Sequence, residues 1–501
     1  MHLLLNVGIL LPIVSYIVVN ILLFIQRWKY RHIPSIPIPW TFSWFKGHYP
    51  EFVRRVKKDP HKHKGIVLGE LVPDDKPDIS IVFLYNQGLI LVVDVPVIAK
   101  LMTDRNVYTK RPLFGIWDTM SGVRIGGKYG LIGDIGSDVW AAKRKVEDKA
   151  FGKGALKETM IGMNILSNRF MDTMQKRSDV GETFDIMPDL TMLALHTIAK
   201  CGFDWSDDMI NKHSEMILNA LNSANMCMGL TMKDPIGFKI PWTYKGEKGD
   251  MRKYVLPVRQ VIRKFLEENM EAARNKVNIL GHIIRAHEVS DQLTIDDVVD
   301  EFVIFFGAGM DTTAATMSAL VWFIVRHPDI YQKVQEEVDS VYGDKEDLAF
   351  EDLNKLVYLE MVIKESLRLK GPAPVLAKQM ADNVSATVDG WYFPEGAKFT
   401  ILVSKVHRHP TYWQDPYKFN PERFAPDKKI VPFSYMPFSA GQRNCVGRHF
   451  AMTEMKNSLS KLFRNFVLSN GNPSETDLLL TGDFTQYPMK GIDVVIQNRT
   501  I

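Results

Sequence analysis

Ten residues near the C-terminal end carry the densest chemistry in the chain: Phe438-Ser-Ala-Gly441-Gln-Arg443-Asn-Cys445-Val-Gly447. A lone cysteine sits in a glycine-rich turn, directly ahead of a helical pattern from Arg448 to Phe466. A thiolate is a strong axial ligand for haem iron and favours cleavage of the O–O bond of dioxygen. Such a turn aims backbone N–H groups and a helix N-terminus at the sulfur, which stabilises thiolate over thiol. Gly441 and Gly447 permit a sharp turn and a close approach to a flat macrocycle. Arg443 offers a planar fork to a haem propionate. An isolated cysteine is more often an inert core residue, so the reading needs company elsewhere in the chain.

Three further constellations supply it. An apolar run from about Ile295 to Arg326 contains Ala308-Gly309-Met310-Asp311-Thr312-Thr313. Thr294 with Asp297 resembles a helix cap, and Pro328 stops the pattern. Interior glycines cost about 1 kcal/mol each relative to alanine. Gly307 and Gly309 therefore suggest a helix lying close to a cofactor, with a local opening beside it. Asp311 and Thr312 form an acid and hydroxyl pair suited to proton delivery; a buried aspartate amid apolar residues otherwise has no compensation. Trp140 and Arg144 stand four apart, on one helical face. Glu365 and Arg368 stand three apart in a helix expected over Tyr358–Leu369, with Pro421-Glu422-Arg423-Phe424 downstream.

F-x-x-G-x-R-x-C-x-G is similar to the haem-binding signature of the cytochrome P-450 monooxygenases, matched at Phe438, Gly441, Arg443, Cys445 and Gly447. The other three constellations resemble that family's A/G-G-x-D/E-T-T/S, W-x-x-x-R and E-x-x-R motifs, in the same order. The resemblance implies a mainly α fold with small β sheets and haem b on the Cys445 thiolate. It implies Trp140 and Arg144 at a propionate, Asp311 and Thr312 as the proton-delivery pair, and Arg423 interlocked with Glu365 and Arg368 as a structural triad. Where many members hold a propionate with arginine, this chain has Lys378, a point charge without the bidentate fork. Asp300–Gly309, Phe350–Leu353 with Lys364–Leu369, and Tyr435–Ser439 look like the cholesterol 24-hydroxylase branch. Met310 and Asp311-Thr312-Thr313 depart from that branch's His-Glu-Thr-Ser. A fatty-acid or xenobiotic hydroxylase is the runner-up. A haem-thiolate isomerase tends to lack the acid–alcohol pair, and a haem sensor needs neither proton relay nor reductase.

The elements that must position these residues follow from the rest of the chain. Its 501 residues are 46% hydrophobic and 24% charged, ample for a large core. With 62 Lys+Arg against 58 Asp+Glu, the balance is too even for a nucleic-acid partner. Three cysteines, Cys201, Cys227 and Cys445, make no disulfide framework and fit a reducing compartment. Residues 3 to 25 are uncharged and apolar, long enough to span a bilayer core of about 30 Å. Arg27, Lys29 and Arg31 follow them, placing the C-terminal side in the cytosol.

The expected organisation is therefore a transmembrane signal anchor at 1–26, a basic proline-rich hinge at 27–44, and one catalytic domain at 45–501. Such a protein sits in the endoplasmic reticulum membrane, single-pass, with the catalytic domain cytosolic. Two strands are expected at Ile79–Tyr85 and Gly88–Val95, and mostly helix over 157–285. His61 and His63, in a basic loop, are solvated rather than metal ligands. Phe114, Ile116 and Trp117 are weak candidates for substrate contact. The 234–244 segment, aromatic and lysine-flanked, suits either core capping or the membrane surface. No nicotinamide fingerprint is present, so electrons come from an NADPH-dependent flavoprotein reductase. Lys143, Lys145, Arg443 and Arg448 suit its acidic surface. The substrate is a lipophilic small molecule.

Overall fold

The central helix, Ile295–Ile324, is set by its ends and by its apolar faces. Thr294 accepts a hydrogen bond from the Asp297 N–H while Asp297 accepts from the Thr294 N–H, a complete capping box. Phe302, Phe305, Phe306, Met310 and Ala314 through Ile324 are buried along it. It is long and apolar enough to cross a membrane, but 61% of its most apolar window is buried by the protein. It is the core helix of the fold.

The computed structural model describes residues 2–36, 39, 43, 46–73, 78–84, 87–104, 108–110, 138–233, 245–288, 294–483 and 485–500. Phe114, Ile116, Trp117, the 234–244 segment and part of the expected hinge lie outside these. The helices run α1 (His2–Lys29), α2 (Tyr49–Lys58), α3 (Lys64–Gly69), α4 (Val95–Thr103), α5 (Asp138–Ala150), α6 (Lys153–Val180), α7 (Met187–Thr197), α8 (Asp207–Lys233), α9 (Lys245–Arg274), α10 (Ile279–Glu288), α11 (Ile295–Ile324), α12 (Pro328–Tyr342), α13 (Val357–Lys370), α14 (Val403–Val406) and α15 (Arg448–Asn465). The strands are β1 (Ile79–Leu84), β2 (Gln87–Val92), β3 (Tyr108–Lys110), β4 (Phe184–Asp185), β5 (Leu376–Met380), β6 (Ala386–Val388), β7 (Trp391–Phe393), β8 (Lys398–Ile401), β9 (Phe466–Asn470), β10 (Leu480–Thr481), β11 (Tyr487–Pro488) and β12 (Asp493–Asn498). The expected mainly α fold with small sheets is what forms, and the expected strands and helices fall within a few residues of those observed.

One sheet has the order β1-β2-β8-β5-β3, with only β2 and β8 parallel. Ile79, Ile81, Ile90, Val92, Phe399 and Ile401 fill its core. A second core lies among the helices, around α11, α7, α6 and α15. Between α7 and α8 a π-turn, Ile198–Gly202, interrupts the helical run; such turns often mark functional places.

Described residues of the expected hinge pack on the sheet. Tyr30, Ile33 and Ile36 are buried in the sheet's core. The Ile81 N–H donates to Pro34 O at 2.8 Å, and the Ile36 N–H donates to Ile81 O at 3.2 Å. Lys29 Nζ donates to Glu395 O at 2.5 Å. The end of α1 is thus tied to the folded domain, because apolar side chains among the prolines have a sheet edge to pack on.

Candidate active site

Two residues of α5 hold two consecutive residues of the cysteine loop. The Arg443 guanidinium stacks 3.5 Å from the Trp140 ring centroid. Arg144 donates to Asn444 O and to Asn444 Oδ1, each at 2.7 Å, and to Asp148 at 2.8 Å. The four-residue spacing on one helical face therefore clasps the chain immediately before Cys445. The Arg144 fork, expected at a propionate, is here engaged by Asn444 and Asp148.

The loop itself closes through the Cys445 N–H, which donates to Phe438 O at 2.8 Å. Gly441 has φ +69°, and a Cβ there would lie 1.9 Å from Met102 O. Its glycine is required by that turn and by the approach of α4. Gly447 has no such constraint: a Cβ there would make ordinary contacts with Phe151 and the Cys445 sulfur. Cys445 keeps accessible surface, yet it lies deep enough among protein atoms for desolvation to push its thiol pKa up. The Gly447 and Arg448 N–H groups and the Arg144 and Arg448 charges oppose that shift. The sulfur thus stands among the groups that stabilise a thiolate.

Lys378, on β5, is 7% exposed. Burial first, and then the Arg443 charge, push its pKa down to about 8. Among the described residues its Nζ has neither a hydrogen bond nor an ion pair. Two cations that repel one another beside a buried wall are a fit for an anion such as a propionate. With the thiol donor at Cys445, the residues present suit haem b.

The proton-delivery pair is less simple than its spacing suggests. Thr312 Oγ1 donates back to Ala308 O at 2.7 Å. The Asp311 carboxyl instead accepts from Thr485 Oγ1 and from the Asn225 side chain. Asp311 retains some surface, but its carboxyl is enclosed, and burial raises its pKa. Sequence reasoning missed Thr485 and Asn225, which lie far away in the chain with no motif around them. The expected local opening of the helix is not observed, as α11 is α-helical throughout. Its glycines serve packing: a Cβ at Gly307 would lie 2.7 Å from Leu221, and one at Gly309 would lie 3.0 Å from Ile198 in the π-turn.

Glu365, Arg368 and Arg423 come together behind the loop. Arg368 donates bidentately to Glu365 at 2.7 and 2.8 Å, and Arg423 Nε donates to Glu365 at 3.3 Å. Arg368 also donates to the carbonyls of His407, Pro416 and Lys418. Missed from sequence was His407 itself. Its buried ring has a pKa depressed to about 3, chiefly by desolvation. The neutral ring accepts from the Met436 N–H at 2.9 Å, linking the triad to the start of the cysteine loop. Phe438 packs against the helical core.

The four basic residues expected toward an acidic partner differ in exposure. Lys143 is buried and paired with Glu301, and Arg443 is stacked on Trp140. Of the four basic residues, Lys145 and Arg448 are exposed.

Comparison with known proteins follows the same lines. A family model described as Cytochrome P450 matches residues 77–488. Among curated proteins, the chain is 31% identical over 356 residues to cytochrome P450 4d2 of Drosophila melanogaster, covering 66% of this chain and 70% of that protein. It is 28% identical over 393 residues to cytochrome P450 4V2 of Rattus norvegicus, 74% of each. It is 26% identical over 419 residues to cytochrome P450 3A31 of Mesocricetus auratus, covering 76% and 82%. These relatives lend no support to the cholesterol 24-hydroxylase likeness.

Proposed function

The chain belongs to the cytochrome P450 family of haem-thiolate monooxygenases, and from that premise we propose that Cys445 is the iron ligand of an enzyme that hydroxylates a membrane-derived lipophilic substrate. Haem, when bound, supplies the activation of dioxygen, with the balance RH + O2 + NADPH + H+ → ROH + NADP+ + H2O. The observation that carries the reading is the clasp of Trp140 and Arg144 on Arg443 and Asn444, which fixes the loop presenting the Cys445 sulfur. Lys378 and Arg443 hold the propionates beside Trp140. Thr312 Oγ1, released from Ala308 O, moves a proton toward the oxygen being reduced, and Asp311 Oδ2 resupplies it. Glu365, Arg368 and Arg423 hold the backbone behind the loop. Lys145 and Arg448 face an NADPH-dependent flavoprotein reductase.

Residues 1–26 anchor the protein in the endoplasmic reticulum membrane with the catalytic domain cytosolic. In support, α1 has 28 residues, about 42 Å of helix, and ends in Arg27 and Lys29. For the substrate, a sterol rests on the three sequence stretches alone. The branches of the relatives favour the second reading, a fatty acid or xenobiotic. Titration of the purified protein with cholesterol, a long-chain fatty acid and a small aromatic drug separates them. A spectral response and hydroxylation with either of the last two, and none with cholesterol, rules out the sterol.

The ligand assignment has its own test. A thiolate-ligated ferrous–CO complex absorbs at distinctly longer wavelength than a histidine-ligated one. Cys445→Ser is expected to lose that band and all hydroxylation. A surviving band would move the assignment to Cys201 or Cys227, both of which are buried in the core.

A further inference from the structure

Three elements distant in sequence meet on one carboxyl. Asp311 projects from α11, Asn225 reaches it from α8, and Thr485 from the turn of the β10–β11 hairpin. Thr485 is buried. The turn that presents it has little freedom. Gln486 Nε2 donates to Gly371 O at 2.5 Å, and the Gln486 N–H donates to Pro372 O at 2.9 Å. Asp483 pairs with Lys64 of α3 at 2.5 Å. Gly482 has φ +119°, and a Cβ there would lie 2.0 Å from Thr485 O, so no other residue fits the turn as it stands. The hairpin tip is thus braced on two sides, and its hydroxyl is delivered to a fixed point on α11.

We propose that Thr485 is a positioning residue for Asp311: the hairpin tip fixes the carboxyl in one orientation and sets how firmly it holds its proton. The proposal rests on the reading of Asp311 as the source of protons for Thr312. A hydroxyl is suited to the task because it donates to a carboxylate and accepts from a carboxylic acid. It therefore stays bonded in both protonation states, as serine would and valine cannot. Hydrogen bonds to the charged form favour it, so Thr485 and Asn225 oppose the effect of burial on Asp311. Tyr487, on β11, is the other titratable group facing this carboxyl among the described residues; its own pKa is raised by burial and then by Asp311. Asp483, beside Tyr487, is held by Lys64. Thr312, one residue on, bonds to Ala308 O. Proton transfer thus requires the Asp311 carboxyl to leave or share its Thr485 contact, which makes the hairpin the element that times it.

The test is infrared titration of the full-length ferric holoprotein, following the C=O stretch of the protonated carboxyl and assigning it by its loss in Asp311→Asn. In Thr485→Val the band should persist to higher pH than in the unaltered protein, since the ionised form has lost a donor. Thr485→Ser should restore the original titration. Asn225→Ala, which removes the second donor, should shift it in the same direction as Thr485→Val and guards against a valine variant that folds poorly. Product per NADPH should fall about two- to tenfold in Thr485→Val, the worth of one hydrogen bond, with an altered solvent isotope effect. An unshifted band in both Thr485→Val and Asn225→Ala overturns the positioning role. A shifted band with unchanged coupling and isotope effect leaves the contact standing and overturns the reading of Asp311 as the proton source.

Discussion

Asp311 and Thr312 are adjacent, and α11 turns their side chains about 100° apart. One faces Asn225 and Thr485; the other folds back on its own helix at Ala308 O. Removing the Thr312 hydroxyl therefore disturbs neither the Asp311 cluster nor the cysteine loop. Thr312→Ala should bind haem and consume NADPH with reductase present, while a larger share of the electrons leaves as hydrogen peroxide. Product per NADPH should drop by about tenfold or more, as for loss of a general acid. Equal yields would remove Thr312 from proton delivery. The motif residues were legible because their types are rare together: Trp with Arg, Asp with Thr, and Cys between glycines. Their partners were not. Asn444 reads as filler, His407 as one histidine among 13, and Thr485 as a loop threonine. Each matters through a contact with a residue remote in sequence, and no local pattern records such a pairing. Gly309 was legible as an anomaly, but its cause was not, since Ile198 reaches it from a π-turn that periodicity does not foretell.

Helix α15, which follows the cysteine loop, is amphipathic in an unusual sense, because many of its buried positions are polar. Lys456 pairs with Glu360 and Lys461 with Asp347. Asn457 donates to Ser167 Oγ at 3.1 Å. Glu454 is the exception. It is buried with the Thr197 hydroxyl and the Cys201 thiol beside it, and desolvation raises its pKa well above 4.5. A carboxyl whose folded pKa lies above its unfolded value lends stability that is whole below the unfolded value and drains as pH rises through the folded one. Glu454→Gln keeps the shape and the acceptor for Thr197 but cannot ionise when unfolded. Its melting temperature should match the unaltered protein near pH 5 and exceed it by about 2 °C or more at pH 8. Parallel melting curves from pH 5 to 8 would show that Glu454 ionises freely in the core. The buried Glu365–Arg368 pair plays the opposite part. Removing one partner of such a pair costs about 3–5 kcal/mol, and here it would also strand three carbonyls that Arg368 satisfies.

For the whole molecule, the junction between α1 and the sheet decides where the anchor ends. Tyr30, Ile33 and Ile36 belong to the sheet's core, so a truncation must stop before them. Deleting residues 1–26 should leave haem incorporation intact and weaken membrane attachment. Carbonate-resistant pelleting at the level of the full-length protein would refute anchoring by this helix alone. The 234–244 segment is the remaining candidate for contact with lipid. A last consequence concerns reach. Glu365, Arg368, the His407 carbonyl and ring, and Met436 form one run of contacts that ends at the cysteine loop. A substitution at Arg368 or His407 would therefore loosen the seat of the Cys445 sulfur from behind, without touching the loop itself.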